Sequence, residues 1–239
     1  MGAAFLESFA AHLHVVRQQH PREVAMWKSS QRWLALGGVI APFVFVTAVV
    51  VTAAARPDYR HDEQMISLLG ELGGPRAAVM NFGGFLLYGV LVLGLAAGLH
   101  AGIRNGPGDG LGPLLVAVYG LGYVAVAFAP CSPGCTGTSL APSEQAHFLI
   151  SRLIFMTAVA GPLCLFVRLA KDPAWSNLRY VVLLLTAVGY MLFLLPLPGL
   201  GAGSQQRLFI GCTLAWILVL AWRLFRLTAP TRTFAPAAA

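Results

Sequence analysis

The sequence predicts an all-α membrane protein, a bundle of six transmembrane helices with both termini on the cytoplasmic side. Three observations carry that prediction. Of the 239 residues, 57% are hydrophobic and 10% are charged, against about 25% charged in soluble domains. With a mean hydropathy of +0.73, a surface so poor in charge must face lipid. Six stretches are apolar over about 20 residues, the length that crosses a hydrocarbon core of roughly 30 Å. The Lys and Arg residues also gather on one side of those stretches.

In chain order the spans are expected at 33–55, 77–103, 111–129, 146–170, 178–198 and 208–227. They use up residues 33–227 and leave no room for a separate soluble domain. Residues 1–32 are polar and basic, with no short apolar core before a small-residue cleavage site, so no removable signal peptide is expected. Phe5, Leu6, Phe9, Leu13 and Val16 recur there at helical spacing, with Arg17 and Lys28 placed to meet anionic lipid. That pattern predicts an amphipathic helix on the inner membrane face; the alternative is a frayed cytoplasmic tail. Residues 228–239, rich in Ala, Pro and Thr, are expected to be a disordered cytoplasmic tail.

Orientation follows from the short loops. With the N-terminus inside, the inner segments hold Arg17, Arg22, Lys28, Arg32, Arg104, Arg168, Lys171, Arg179, Arg223, Arg226 and Arg232. The outer segments hold only Arg56, Arg60, Arg76 and Arg207. The bias predicts a multi-pass protein of the inner (plasma) membrane with both termini cytoplasmic. The net charge of +7 is accounted for by those flanking residues. They form no dense patch with interleaved aromatics, so nucleic acid is not an expected partner. Within the spans, Gly94, Gly98 and Gly102 fall every fourth residue. Such a stripe lets another backbone approach closely and offers a surface for homo-oligomers. Pro42, Pro113, Pro162 and Pro196 are expected to kink or begin their helices. No internal repeat supports an inverted-repeat transporter.

Unusual polar residues concentrate at the outer end. The loop after the first span carries Met65, Leu68, Leu69 and Leu72 with Glu63, Ser67 and Glu71 at four-residue spacing. This predicts a short amphipathic helix across the outer mouth, with Ser67 and Glu71 on one face. Asn81 lies about one turn inside the second span, with Tyr88 seven residues further on the same face. Glu144, His147 and Ser151 lie within roughly 60° of one another at 100° per residue, with Arg152 about 80° from Glu144. Arg207 opens the sixth span. Ionisable groups at membrane depth usually face a bundle interior or cavity. As a set these residues suit an anionic headgroup, with Arg152 and Arg207 pairing phosphate and His147 exchanging protons. The competing reading is a structural polar network. In it Arg152 snorkels outward or pairs with Glu71 or Glu144, and Asn81 and Ser151 join helices.

Cys131 and Cys135 flank Pro133 and Gly134 in an outer loop, where a tight turn and an oxidising compartment permit a disulfide. Zinc held with His147 and Glu144 is only weakly signalled by C-x-x-x-C with one His, and no metal or cofactor is assigned. Redox activity would normally show C-x-x-C, which does not occur. Cys164 and Cys212 read as packing residues. No nucleotide-binding glycine loop, His-Glu-x-x-His or Gly-x-Ser-x-Gly occurs.

Several segments carry a family resemblance. They are Ile66-Ser-Leu-Leu-Gly-Glu-Leu-Gly-Gly-Pro, Asn81-Phe-Gly-Gly-Phe-Leu-Leu-Tyr-Gly, the Pro130 turn before the Glu144/His147 helix, and Gln206-Arg207 leading to Trp216. In that order, over roughly residues 33–227, the chain resembles the bacterial membrane family catalogued as domain of unknown function 998. It departs from that pattern in the Cys-Ser-Pro-Gly-Cys turn and in Leu68-Leu69-Gly70 between Ser67 and Glu71. The resemblance implies the fold and brings no activity with it.

Three functions fit these residues. The leading one is a site for a lipid or isoprenoid headgroup near the outer leaflet, either binding only or with acid–base chemistry by Glu71 and His147. Ser67, Asn81, Tyr88, Glu144, Ser151, Arg152 and Arg207 would contact the ligand. The second is a membrane scaffold or accessory subunit acting through the glycine stripe. A small transporter is the third, and it is disfavoured because no acid lies near the midplane of a span.

Overall fold

In a computed structural model, residues 29–103, 110–195 and 197–229 are described. The N-terminal amphipathic segment up to Lys28 and the tail from Pro230 lie outside the described residues. All regular structure among the described residues is helical. There are six long helices: α1 Ser29–Ala53, α2 Val79–Gly102, α3 Leu111–Val126, α4 Pro142–Leu169, α5 Arg179–Leu194 and α6 Ala202–Leu227. Five helices are long and apolar enough to cross a membrane: α1, α2, α4, α6 and α5 with the 3-10 turn Ser176–Leu178 that leads into it. The chain is therefore a membrane protein by its helices. α3 is apolar but has only 16 residues, roughly 24 Å at 1.5 Å per residue and short of a 30 Å core.

Boundaries differ from the sequence expectation at several helix starts. Hydropathy alone begins the fourth span at Ala146, yet α4 starts at Pro142. Proline suits the first helical position because its missing N–H would have no partner there. Glu144, in that first turn, favours the positive end of the helix dipole. α6 likewise starts at Ala202, six residues early. Ser29 to Arg32, placed by sequence in the cytoplasmic segment, already belong to α1. The first eight residues of α2, Val79–Leu86, wind as a π-helix. Pro162 stands inside α4 and Pro113 in the first turn of α3.

α3 lies between α2 and α4, and α5 lies against α4 and α6. α1 packs on α2 and α6, with Gly38 closing on Leu95 and Ala221. Two helix backbones meet closely where Gly89 of α2 faces Gly120 of α3. A Cβ on Gly89 would sit 2.6 Å from the Gly120 carbonyl oxygen. An aromatic cluster fills the centre. Phe45, Phe85, Tyr88, Tyr119 and Tyr123 have ring centroids 4.8–6.2 Å apart, and Trp216 joins at Tyr119. Buried phenols need partners, and the Tyr88 and Tyr119 hydroxyls supply each other at 2.9 Å.

The glycine stripe of α2 is filled within the chain. Gly94 receives Leu34 of α1, and Gly98 and Gly102 receive Leu224 of α6. At the far end of α2, Arg168 of α4 is 3% exposed. Its guanidinium donates to the carbonyls of His100 (3.0 Å) and Ile103. Those carbonyls close the C-terminus of α2, where a cation also favours the helix dipole.

Candidate functional site

The polar residues singled out in the sequence gather at the end of the bundle where α2, α4 and α6 begin. Two irregular segments cover that end, residues 54–78 and 127–141. The first was expected to hold an amphipathic helix and instead forms a single 3-10 turn, Ile66–Gly70. Leu68 and Leu69 are buried as expected, but Met65 and Leu72 are exposed. The turn ends at Glu71, whose backbone is extended. The next amide, Leu72 N–H, donates across to the Cys131 carbonyl at 2.9 Å instead of continuing a helix.

Four of the candidate residues hold this cover in place. Glu71 is paired with Arg56, and its other oxygen accepts the Gly134 N–H at 2.6 Å. Arg56 also donates to the Leu68 carbonyl at 2.7 Å. Asn81 donates to the Gly70 carbonyl at 2.9 Å. Arg207 donates to the carbonyls of His61 (2.5 Å), Gln64 (2.9 Å) and Gly203 (2.9 Å) and to the Tyr59 hydroxyl. Burial pushes the Tyr59 phenol above its ordinary value, although Arg207 and Arg56 pull it down. It stays protonated and donates to the Met65 carbonyl at 3.0 Å. Glu144, 1% exposed, accepts the N–H groups of Ser132 (3.0 Å), Gly137 (2.8 Å) and Ser139 (3.4 Å). A carboxylate ringed by backbone donors organises the 130–139 loop.

Tyr88 lies away from these residues, in the aromatic centre with Tyr119. Cys131 and Cys135 form a disulfide, with Cα atoms 5.2 Å apart, as the turn between them allowed. His147 is 3% exposed, and its Nδ1 lies 2.8 Å from the Ala129 carbonyl oxygen. A carbonyl only accepts, so Nδ1 carries the hydrogen, and in the neutral ring Nε2 holds the free lone pair. One ring nitrogen of His147 and the two cysteine sulfurs all lie within 4.8 Å of one another.

His147, Ser67, Ser151 and Gln206 share the wall of a partly open cavity of about 40 Å³ with Phe45, Phe85, Tyr123 and Phe155. One water needs roughly 10–15 Å³, so this space holds a few waters at most. Arg152 follows Ser151 but points away from the bundle. It is exposed and makes no hydrogen bond or ion pair with any described residue. Leu149, Leu153 and Met156 are exposed around it. It stands ten residues into α4, about 15 Å along the axis at 1.5 Å per residue.

Sequence reasoning gave no site role to Arg56, Tyr59 or Gln206. Arg56 counted only as an outer cation, although it stands three residues past the end of α1, just before Pro57. Gln206 accepts the buried Ile66 N–H at 2.8 Å, 140 residues away in the chain. No local signal encodes that contact.

No curated protein and no solved structure matches the chain. The family model described as protein of unknown function DUF998 matches residues 39–223. The sequence resemblance is thereby supported across most of the chain, which belongs to the DUF998 family.

Proposed function

We propose that this protein binds an anionic lipid or isoprenoid headgroup on the exposed face of α4, near the outer leaflet of the plasma membrane. The observation that carries the reading is Arg152, an exposed cation without a partner among the described residues, set between exposed Leu149, Leu153 and Met156. In lipid such a charge is costly unless an anion meets it, and phosphate is the anion that a bilayer supplies. Ser151, the preceding residue, faces the cavity beside His147, so a headgroup on Arg152 would have hydroxyl and imidazole groups close behind it. Glu71, Asn81, Glu144 and Arg207 act as the scaffold of the cover in this reading. The bias of Lys and Arg supports this reading's orientation, with the covered end outside and both termini in the cytoplasm.

The test is mass spectrometry of lipids that co-purify with the wild type and with Arg152→Gln. A phosphate-bearing lipid class should be enriched with the wild type and lost from a folded, monodisperse variant. Identical lipid profiles would refute the site.

A further inference from the structure

We propose that Cys131, Cys135 and His147 form a thiol–disulfide exchange centre that reacts with an external dithiol. The inference does not rest on the headgroup reading, which Arg152 carries, although His147 lies near both.

The disulfide closes a loop with only Ser132, Pro133 and Gly134 between its cysteines. So short a cross-link removes less chain entropy from the unfolded state than a long-range one would, which makes it a weaker staple. Nor is it needed to hold its own loop. Glu144 binds three amides of the 132–139 stretch. Glu71 binds Gly134 N–H, and the Cys131 carbonyl accepts Leu72 N–H. After reduction these bonds keep the two sulfurs side by side, a preorganised arrangement that favours exchange over unfolding.

The surroundings of the two sulfurs differ. Cys131 is fully buried, whereas Cys135 is half-buried and sits at φ +48°. That left-handed backbone is uncommon outside glycine and tends to cluster at functional sites. Approach from outside is therefore to Cys135. The Ser67 hydroxyl lies 3.5 Å from Cys135 Sγ. A disulfide sulfur has no hydrogen to give, so the hydroxyl is the donor, and it can also stabilise a thiolate formed there. The Ser67 carbonyl oxygen lies 3.7 Å from Cys131 Sγ, where it can accept the hydrogen of a Cys131 thiol. His147, within 4.8 Å of both sulfurs, provides a buried proton acceptor and donor.

The step balances as follows. One thiolate of the dithiol attacks Cys135 Sγ and forms a mixed disulfide. The Cys131–Cys135 bond breaks with its electron pair on Cys131 Sγ, which takes a proton relayed by His147. The second thiol of the partner loses its proton and attacks the partner's own sulfur in the mixed disulfide. Cys135 leaves as a thiolate and is protonated. The protein gains two electrons and two protons, and the dithiol becomes a disulfide. In the reverse direction His147 accepts the thiol proton.

The experiment uses the full chain in lipid nanodiscs. Reduced glutathione is added, free thiols are blocked with N-ethylmaleimide after acid quench, and the 131–135 peptide is mapped by mass spectrometry. The expected product carries glutathione on Cys135 and maleimide on Cys131; the opposite pattern overturns the proposal. Dithiothreitol should reduce the bond in the folded protein. A bond that yields only after unfolding also overturns it. His147→Gln, where it folds, should slow reduction by roughly tenfold or more, and an unchanged rate removes His147 from the centre. Should that variant not fold, the glutathione map on the wild type decides alone.

Discussion

Arg56 and Glu71 form an ion pair that ties the end of α1 to the segment leading into α2. Their side chains are 12% and 9% exposed, and Glu71 extends the tie to the disulfide loop through Gly134. Removing one member of so buried a pair strands the other charge, a loss on the order of 3 kcal/mol. Arg56→Met and Glu71→Gln should each lower the thermal unfolding midpoint in detergent. Arg56→Met combined with Glu71→Gln should cost clearly less than the sum of the two. Additive losses would mean that the two side chains act independently.

Arg207 is the rivet between α6 and the 54–78 segment, through the carbonyls of His61 and Gln64. Lysine preserves the charge but lacks the planar fork that reaches several acceptors at once. Arg207→Lys should raise amide hydrogen exchange across residues 59–66 and leave the core of α6 protected. Unchanged exchange in that segment would show that the rivet is not needed.

Gly98 leaves the space that Leu224 fills, and a Cβ there would come within 2.8 Å of Leu224 Cδ2. Gly98→Leu should therefore destabilise the monomer, by about 1–3 kcal/mol for an overpacked core. Leu224→Ala in the same chain should recover part of the loss. If Gly98→Leu instead leaves stability untouched and dissolves a complex, the stripe serves a partner.

At the opposite end, Arg168 satisfies the last carbonyls of α2. Arg168→Met keeps much of the packing but removes the donors, leaving buried acceptors unpaired at about 1–3 kcal/mol. Faster amide exchange at residues 99–103 and a lower unfolding midpoint are expected. Wild-type exchange there would show that other groups close the helix.

Breaking the short disulfide should cost no more stability than these changes do. Cys131→Ser with Cys135→Ser is expected to lower stability by about 2 kcal/mol or less, given the size of the loop. A collapse of folding in that variant would make the bond a structural staple.

The helical class was legible in the sequence because hydropathy is a local quantity. Twenty apolar residues in lipid must satisfy their own backbone hydrogen bonds, and a helix does so without help from distant residues. The polar character of the covered end was legible for the same reason, since unusual residues are visible within a short window; the tight turn only permitted a bridge between Cys131 and Cys135, which the structure forms. The roles within that end were not. Glu71, Asn81, Glu144 and Arg207 look alike in sequence to groups awaiting a ligand. Only the tertiary structure shows them bound to Arg56, to the Gly70 carbonyl, to loop amides and to the His61–Gln64 backbone. Local pattern can place a charge at a given depth. Whether that charge meets a backbone group, a cavity or lipid depends on segments up to 148 residues away, as for Arg207 and Tyr59, and on the three-dimensional packing that brings them together.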